Sequence, residues 1–321
     1  MIKLMKILFV RDQNSCNTPY LLYCLYWLKK LFLINFTEVS VKDYLEIDQN
    51  SYDVVIYATF PDEEAPQFNK IRSVIPQTDE KFLGFKKTRI LFDSLSHGSK
   101  DGFPRLNDYS IPRLKTAPDK EYLQKFNVIL PLTYPIGMYI KSPAYNYLLG
   151  LPFSPKTINK TVDISYRVNP GLGDSEGSYR QQIRMKILDK LEPYAKAYSL
   201  DTNYQEKDPN YNHYLAKVLI SVCPPGHGPG TFRHLETLNA QSLMFSHDSI
   251  NDIKLLPNAE LIEGEDYIAF NLDNITDKLD QLLANPKSIE SIAKRGYEKF
   301  KRGYSSYRTA MRLYQILREL V

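Results

Sequence analysis

The stretch PPGHGPGTFRHLETLNA, from Pro224 to Ala240, decides the interpretation of this sequence. It places Gly226, Gly228 and Gly230 within five residues of a chain that has only 14 glycines. The apolar run KVLISVCP leads into it, and a helix is expected to begin at about Thr231. A glycine-rich turn between a buried strand and a helix is typical of a phosphate site, because glycine allows close backbone approach and helix N-termini attract anions.

Length and composition favour a two-domain globular protein. The chain has 321 residues, of which 43% are hydrophobic and 24% are charged. This length fits two domains of about 150 residues each, and the charged fraction excludes a disordered polyelectrolyte. The formal net charge of +4 neither requires nor excludes an anionic partner.

Apolar runs and helical segments alternate along the chain, which predicts an α/β fold with mostly parallel sheets. The runs expected as strands are MKILFV, YDVVIYATF, TRILFD, FNVILPL, VDISYRV, KVLISVCP and QSLMFSH. A helix is predicted after NPGLGDSEG, with Ser178 as N-cap and with Tyr179, Ile183, Ile187 and Leu191 on one face. A change of composition at LPFSPKTINKT places the domain boundary between residues 152 and 153, giving domains 1–152 and 153–321.

The glycine-rich stretch itself suggests a phosphate-bearing ligand at residues 228–231. Arg233 is expected to add a bidentate phosphate contact, and Glu236 to accept hydrogen bonds from two ribose hydroxyls. Neither a Walker loop nor a dinucleotide fingerprint is present. A glycine- and proline-rich turn without any ligand is the alternative.

In this context the stretch resembles the donor-binding domain of GT-B glycosyltransferases, whose spore-maturation-type members carry roughly T-x-R-x-x-E-A-L-A. The matching residues are Thr231, Arg233, Glu236 and Leu238, and Ala240 stands one position beyond the last alanine of that signature. The resemblance covers about residues 150–310, including an ending with an acidic loop, a strand and two helices. It implies two Rossmann-like domains facing across a cleft, with a C-terminal helix that crosses back to the N-terminal domain.

The resemblance also implies roles for individual residues. Glu236 would hold the ribose, and Thr231 and Arg233 would hold the diphosphate with the helix N-terminus. Many retaining relatives carry a second Glu eight positions earlier, where this sequence has Gly228, so retention and inversion both stay open. Further donor-binding candidates are Gly230, Phe232, His227, and the arginines Arg180 and Arg184.

The acceptor hydroxyl must lose a proton, and the first domain is expected to supply the base. Asp93 ends the strand TRILFD and is followed by His97, so this loop offers a carboxylate and an imidazole at the carboxyl edge of the sheet. Asp12 follows the first strand at the same edge and is the rival base. The histidines and cysteines show no metal-binding spacing, so neither a metal nor a cofactor is expected beyond the UDP- or GDP-linked sugar substrate.

The predicted function is therefore metal-independent transfer of a sugar from a nucleotide-diphosphate sugar to an acceptor hydroxyl. The alternatives are a glucosyltransferase acting on modified DNA bases and a non-catalytic nucleotide-sugar-binding protein. Eight basic residues and one acid between Lys294 and Arg318 suggest either the crossing helix or contact with nucleic acid or a peripheral membrane face. Sparse cysteines, no leader and no transmembrane run favour a cytoplasmic protein.

Overall fold

A computed structural model describes residues 4–11, 19–58, 73–93, 103, 106, 110–134, 159–169, 179–205, 208, 210–226 and 228–321. Contacts between Cα atoms divide the chain into two compact units. The first contains the chain up to residue 135 and the C-terminal Ser305–Val321, and the second contains Leu151–Tyr304. The boundary expected at residues 152 and 153 lies outside the described residues.

The first unit is built on a six-stranded parallel sheet with the order β2-β1-β3-β4-β5-β6. The strands are β1 (Met5–Arg11), β2 (Ile34–Ser40), β3 (Val54–Ala58), β4 (Thr88–Asp93), β5 (Arg113–Thr116) and β6 (Val128–Leu132). Its helices include α1 (Pro19–Lys30), α2 (Ile75–Gly84) and α3 (Lys120–Lys125). The central strands are buried along consecutive residues, as in β3, because a parallel sheet is covered on both faces.

The second unit contains a five-stranded parallel sheet with the order β11-β10-β9-β7-β8. Its strands are β7 (Val162–Ser165), β8 (Leu200–Asp201), β9 (Val218–Cys223), β10 (Leu243–His247) and β11 (Ile268–Phe270). Its helices within the described residues are α4 (Tyr179–Leu191), α5 (Tyr211–Leu215), α6 (Phe232–Asn239), α7 (Ile275–Leu283) and α8 (Pro286–Gly303). Short 3₁₀ turns occupy Asp43–Glu46, Gln49–Ser51, Glu192–Lys196 and Asp248–Asp252.

The last helix, α9 (Ser306–Leu320), belongs to the first unit and packs against α1. The hydroxyls of Tyr20 and Thr309 are hydrogen-bonded at 3.0 Å, and the indole nitrogen of Trp27 donates to Ser306 Oγ at 3.2 Å. Leu313 and Leu317 supply the buried face of the helix. These contacts assign the helix at the end of the chain to the N-terminal unit.

The predicted α/β class is confirmed, and each of the seven apolar runs contains a strand. One face assignment was wrong: on α4, Ile183, Ile187 and Leu191 are buried, but Tyr179 is exposed. Tyr179 stands at the first position of the helix. Its predicted N-cap, Ser178, lies outside the described residues.

Candidate functional site

The second sheet reverses its strand order at β7, which has β8 on one side and β9 on the other. In open α/β sheets, ligands bind beyond the carboxyl ends of the strands at such a switch point. The segments that leave β7 and β9 here are residues 166–169 and 224–231. The stretch singled out in the sequence therefore stands at the edge where this architecture places a ligand.

The glycine-rich loop is closed by its own backbone. The Gly226 N–H donates to the carbonyl of Gly228 at 2.9 Å. A Cβ atom at Gly226 would lie 2.6 Å from the methyl carbon of Thr231, so a larger residue would push the loop away from the start of α6. The loop's own packing thus accounts for Gly226, whereas Gly228 and Gly230 are the positions predicted for the ligand.

A neutral histidine fixes the start of α6. His234 Nδ1 accepts hydrogen bonds from the backbone N–H of Thr231 at 3.0 Å and from its hydroxyl at 2.9 Å. Nε2 therefore carries the ring proton and donates to Ser246 Oγ at 3.0 Å. Burial lowers the pKa of His234 to about 3. In this arrangement Thr231, predicted to hold a diphosphate, uses both its N–H and its hydroxyl to cap the helix.

Arg233 has one side of its guanidinium engaged and another available. Its Nη2 donates to the backbone carbonyl of Arg167, and its Cζ lies 5.4 Å from the centre of the Tyr211 ring. Its Nη1 is buried and has no hydrogen-bond partner in the described part of the chain. A buried guanidinium nitrogen without an acceptor is costly, so this donor is suited to an anionic group supplied from outside.

Arg184, on α4, connects the two segments that leave the switch-point strands. Its Nη1 donates to the Asn169 carbonyl at 2.8 Å and its Nη2 to the Pro225 carbonyl at 3.3 Å. Burial, followed by the nearby positive charge of Arg180, lowers the pKa of Arg184 to about 10. Its Nε is a second buried donor for which the described residues provide no acceptor.

Glu236 is the one acid on α6 and is buried one turn inside the helix. Burial raises the pKa of its carboxyl to about 7, although the charge of Arg233 acts in the opposite direction. No hydrogen bond from a described side chain to this carboxylate is found. Its two oxygens are therefore suited to accept hydrogen bonds from a ligand.

The charged side chains around the glycine-rich loop carry an excess of positive charge. Arg167 is neutralised by Asp201 and Asp208, at 2.8 and 3.4 Å. Arg184 and Arg233 have no such carboxylate at salt-bridge distance among the described residues, and Glu236 is only partly ionised near pH 7. The positive end of the α6 dipole adds to the same sign. We call Arg184, Arg233, Tyr211 and Glu236 the switch-point cluster; it has the charge and the donors that fit a phosphate-bearing ligand.

The catalytic candidate Asp93 lies in a different environment, in the first unit. Its Oδ1 accepts from Lys115 Nζ at 3.0 Å, and its Oδ2 accepts from the Tyr122 hydroxyl at 2.7 Å. Tyr122 in turn accepts from Arg113 Nη1 at 3.0 Å. Asp93 and Lys115 are both 0% exposed. The carboxylate is thus the centre of a buried polar network. The sequence instead predicts an open group at the edge of the sheet.

Other predicted residues are placed less fully. Arg180 and Phe232 are half-buried near the ends of α4 and α6. Asp12, His97 and His227 lie outside the described residues, so their roles stay predictions.

Sequence reasoning overlooked Tyr211 and Tyr166. Tyr211 begins α5 and lies under Arg233, and its hydroxyl is buried without a partner in the described ranges. The Tyr166 hydroxyl donates to the Arg184 backbone carbonyl at 2.9 Å and so anchors α4. The only signal for Tyr211 was the aromatic cluster NYNHYL directly before β9.

Among the described residues no group of three or more His, Cys, Asp or Glu side chains is arranged to hold a metal ion. Within the same residues, no helix has the length and apolar character needed to cross a bilayer.

Solved structures with the same fold include glycosyltransferases and a sucrose-phosphate synthase. HepE of Anabaena in complex with UDP has 11% sequence identity and a TM-score of 0.54, covering 98% of this chain and 100% of its own. Sucrose-phosphate synthase of Thermosynechococcus elongatus has 10% identity and a TM-score of 0.55, covering 98% and 99%. An alpha-glucosyltransferase in complex with UDP and a 13-mer DNA containing a HMU base has 10% identity and a TM-score of 0.54, covering 99% and 100%.

No protein-family model matches the sequence. No curated protein matches it either. At identities near 10% the structural likeness establishes architecture, and it extends over nearly the full length of both chains. The protein has the GT-B fold of these glycosyltransferases, with two Rossmann-like domains.

Proposed function

We propose that this protein transfers a sugar from a nucleotide-diphosphate sugar to an acceptor hydroxyl, and that it does so without a metal ion. One observation carries the proposal: two half-buried arginines at the switch point of the second sheet each keep one buried donor nitrogen without a described acceptor. One diphosphate bridging Arg184 and Arg233 would satisfy both donors. Solved neighbours with the same fold bind UDP or UDP-glucose, which makes UDP the first nucleotide to test.

In the proposed reaction the bond between the sugar and the terminal phosphate breaks, and negative charge develops on the leaving diphosphate. Arg233 and the dipole of α6 would stabilise that charge, since fixed donors in a dry site lower the barrier where charge develops. Arg184 would hold the other phosphate. The Glu236 carboxylate would accept the ribose hydroxyls and fix the nucleotide along α6.

The proton acceptor for the incoming hydroxyl is a separate question. Asp93 is not assigned this role, because Lys115 and Tyr122 occupy its two oxygens inside the first unit. Asp12 and His97 stay predictions from the sequence.

The test is a calorimetric titration of UDP, GDP and UDP-glucose, combined with an assay of donor hydrolysis. Arg233→Gln should weaken the nucleotide by about 1.5–3 kcal/mol, because it removes a charge-assisted hydrogen bond. Arg302→Gln, at an exposed position on α8, is the matched control and should bind like the wild type. Hydrolysis should persist in EDTA.

Equal nucleotide affinity in Arg233→Gln and the wild type would remove the switch-point cluster from the donor site. Loss of hydrolysis in EDTA, with recovery on adding Mg²⁺ or Mn²⁺, would contradict metal independence. Nucleotide binding without any donor hydrolysis or transfer would favour the non-catalytic alternative.

A further inference from the structure

The turn that ends α1 exposes two large apolar side chains. Phe32 is 81% exposed and Leu31 is 39% exposed, directly after the helix. Phe32 is the most exposed large hydrophobic residue in the described part of the chain. A single exposed apolar residue needs no explanation, but an adjacent aromatic and aliphatic pair at the turn that ends a helix indicates a contact made outside the fold.

The backbone at Phe32 makes this placement more unusual. Phe32 N–H donates to the Lys29 carbonyl and Leu33 N–H to the Leu28 carbonyl, both at 3.0 Å. This is a Schellman motif, in which glycine is the preferred residue at the left-handed position. Phe32 occupies that position with φ of 55°. A phenylalanine is unfavourable there and its ring gains little burial, so the fold of the unit does not explain the choice of residue.

The surroundings of the turn are basic and aromatic. Lys29 and Lys30 are exposed, and no acidic residue occurs between positions 19 and 36. Lys30 Nζ lies 5.4 Å from the Trp27 ring centre, and Trp27 meets the exposed Tyr307 of α9 edge to face at 5.5 Å. Lysines with long apolar stems and amphipathic Trp and Tyr rings are typical of the interface between water and lipid.

We propose that this turn, Lys29–Phe32, docks the first unit on a bilayer that contains anionic lipids. Leu31 and Phe32 would enter the boundary between headgroups and acyl chains, while Lys29 and Lys30 stay at the anionic headgroups and Trp27 and Tyr307 lie at the same level. Single-stranded nucleic acid could stack on Phe32, but it would gain little from the aliphatic Leu31. An aliphatic and an aromatic residue side by side, flanked by lysines, favour lipid.

The experiment is co-sedimentation of the full chain with vesicles of phosphatidylcholine, alone or mixed with phosphatidylglycerol. The wild type should bind the mixed vesicles in preference. Phe32→Gly should lower the partition coefficient by about tenfold or more, because it removes a phenylalanine side chain that would be buried in the bilayer. Lys30→Gln should lower it by about fivefold, and only on the anionic vesicles.

Phe32→Gly also controls for folding, because glycine suits the left-handed position and the thermal midpoint should be maintained or raised. Leu123→Ala, at a 41% exposed position on α3, is the matched control and should bind vesicles like the wild type. The proposal is overturned if the wild type ignores anionic vesicles, or if Phe32→Gly and Leu123→Ala behave alike. Binding of single-stranded DNA that depends on Phe32, without vesicle binding, would assign the turn to nucleic acid instead.

Discussion

Each unit contains a charged cluster, buried in the first unit and half-buried in the second, and the two clusters differ in how their charges are compensated. In the first unit, Asp93 is held by Lys115 and Tyr122, and Tyr122 also accepts from Arg113. In the second unit, Arg184 and Arg233 donate only to backbone carbonyls among the described residues, and each keeps a buried donor without a described acceptor. A charge paired inside the fold contributes structure, whereas a donor that the fold does not satisfy is available to a ligand.

The first prediction from this comparison concerns the cluster of Asp93, Lys115 and Tyr122 in the first unit. Lys115→Met should lower the free energy of unfolding by about 3–5 kcal/mol, because it leaves the Asp93 carboxylate buried without its cation. Denaturant unfolding, followed with a probe located in the first unit, measures this change in the free energy of unfolding. Adding Asp93→Asn should recover part of the loss, since the second change removes the uncompensated charge. If Lys115→Met unfolds like the wild type, the ion pair is not what stabilises this region.

The second prediction concerns pH and the switch-point cluster. The pKa of Glu236 is raised by burial from 4.5 to about 7, so the folded state holds its proton more tightly than the unfolded state. The stability that this proton contributes is complete below about pH 4.5 and is lost as the pH rises through about 7. Glu236→Gln should remove that loss and be more stable than the wild type at pH 8, by on the order of 2–3 kcal/mol.

Urea unfolding at pH 5 and pH 8 measures the effect, and Glu290→Gln at an exposed position on α8 is the control. Identical pH slopes for Glu236→Gln and the wild type would show that the carboxylate is solvated in solution. Such a result would also weaken the contrast between the two clusters.

The third prediction is a smaller effect on the free energy of unfolding, and it compares two tyrosines. The Tyr211 hydroxyl is buried without a partner among the described residues, so Tyr211→Phe should raise the free energy of unfolding by about 1 kcal/mol. Tyr122→Phe should lower it, because that hydroxyl joins Arg113 to Asp93. Thermal unfolding of both variants compares them directly. Destabilisation of equal size in both would mean that Tyr211 has a partner that the structure does not describe.

The sequence predicted the parts of the fold that are apolar and continuous. It did not predict β5, because Arg113 and Lys115 are charged residues in a strand that is buried throughout. Hydrophobic patterning has no means of finding such a strand, since the charges are compensated by Asp93 and Tyr122 from other elements. Short β8 and the more polar β2 were missed for a related reason.

The candidate site was predictable where a single stretch of chain carries it. Arg233 and Glu236 follow a glycine-rich loop after a buried strand, and that local order survives in three dimensions. Tyr211 was not predictable in the same way, because it reaches Arg233 from a separate helix. The environment of Asp93 was not predictable, because its position at the end of β4 is visible in the sequence, whereas the approach of Lys115 from β5 is not.

The imidazole of His234 has a consequence for the thermodynamics of any ligand that binds at α6. Its ring ties the helix start at Thr231 to Ser246 in β10, and its low pKa keeps both bonds in place across the physiological range. The first turn of the helix is therefore ordered before a ligand arrives. A ligand that binds there does not have to meet the entropic cost of ordering this turn, and more of its contact energy is retained as affinity.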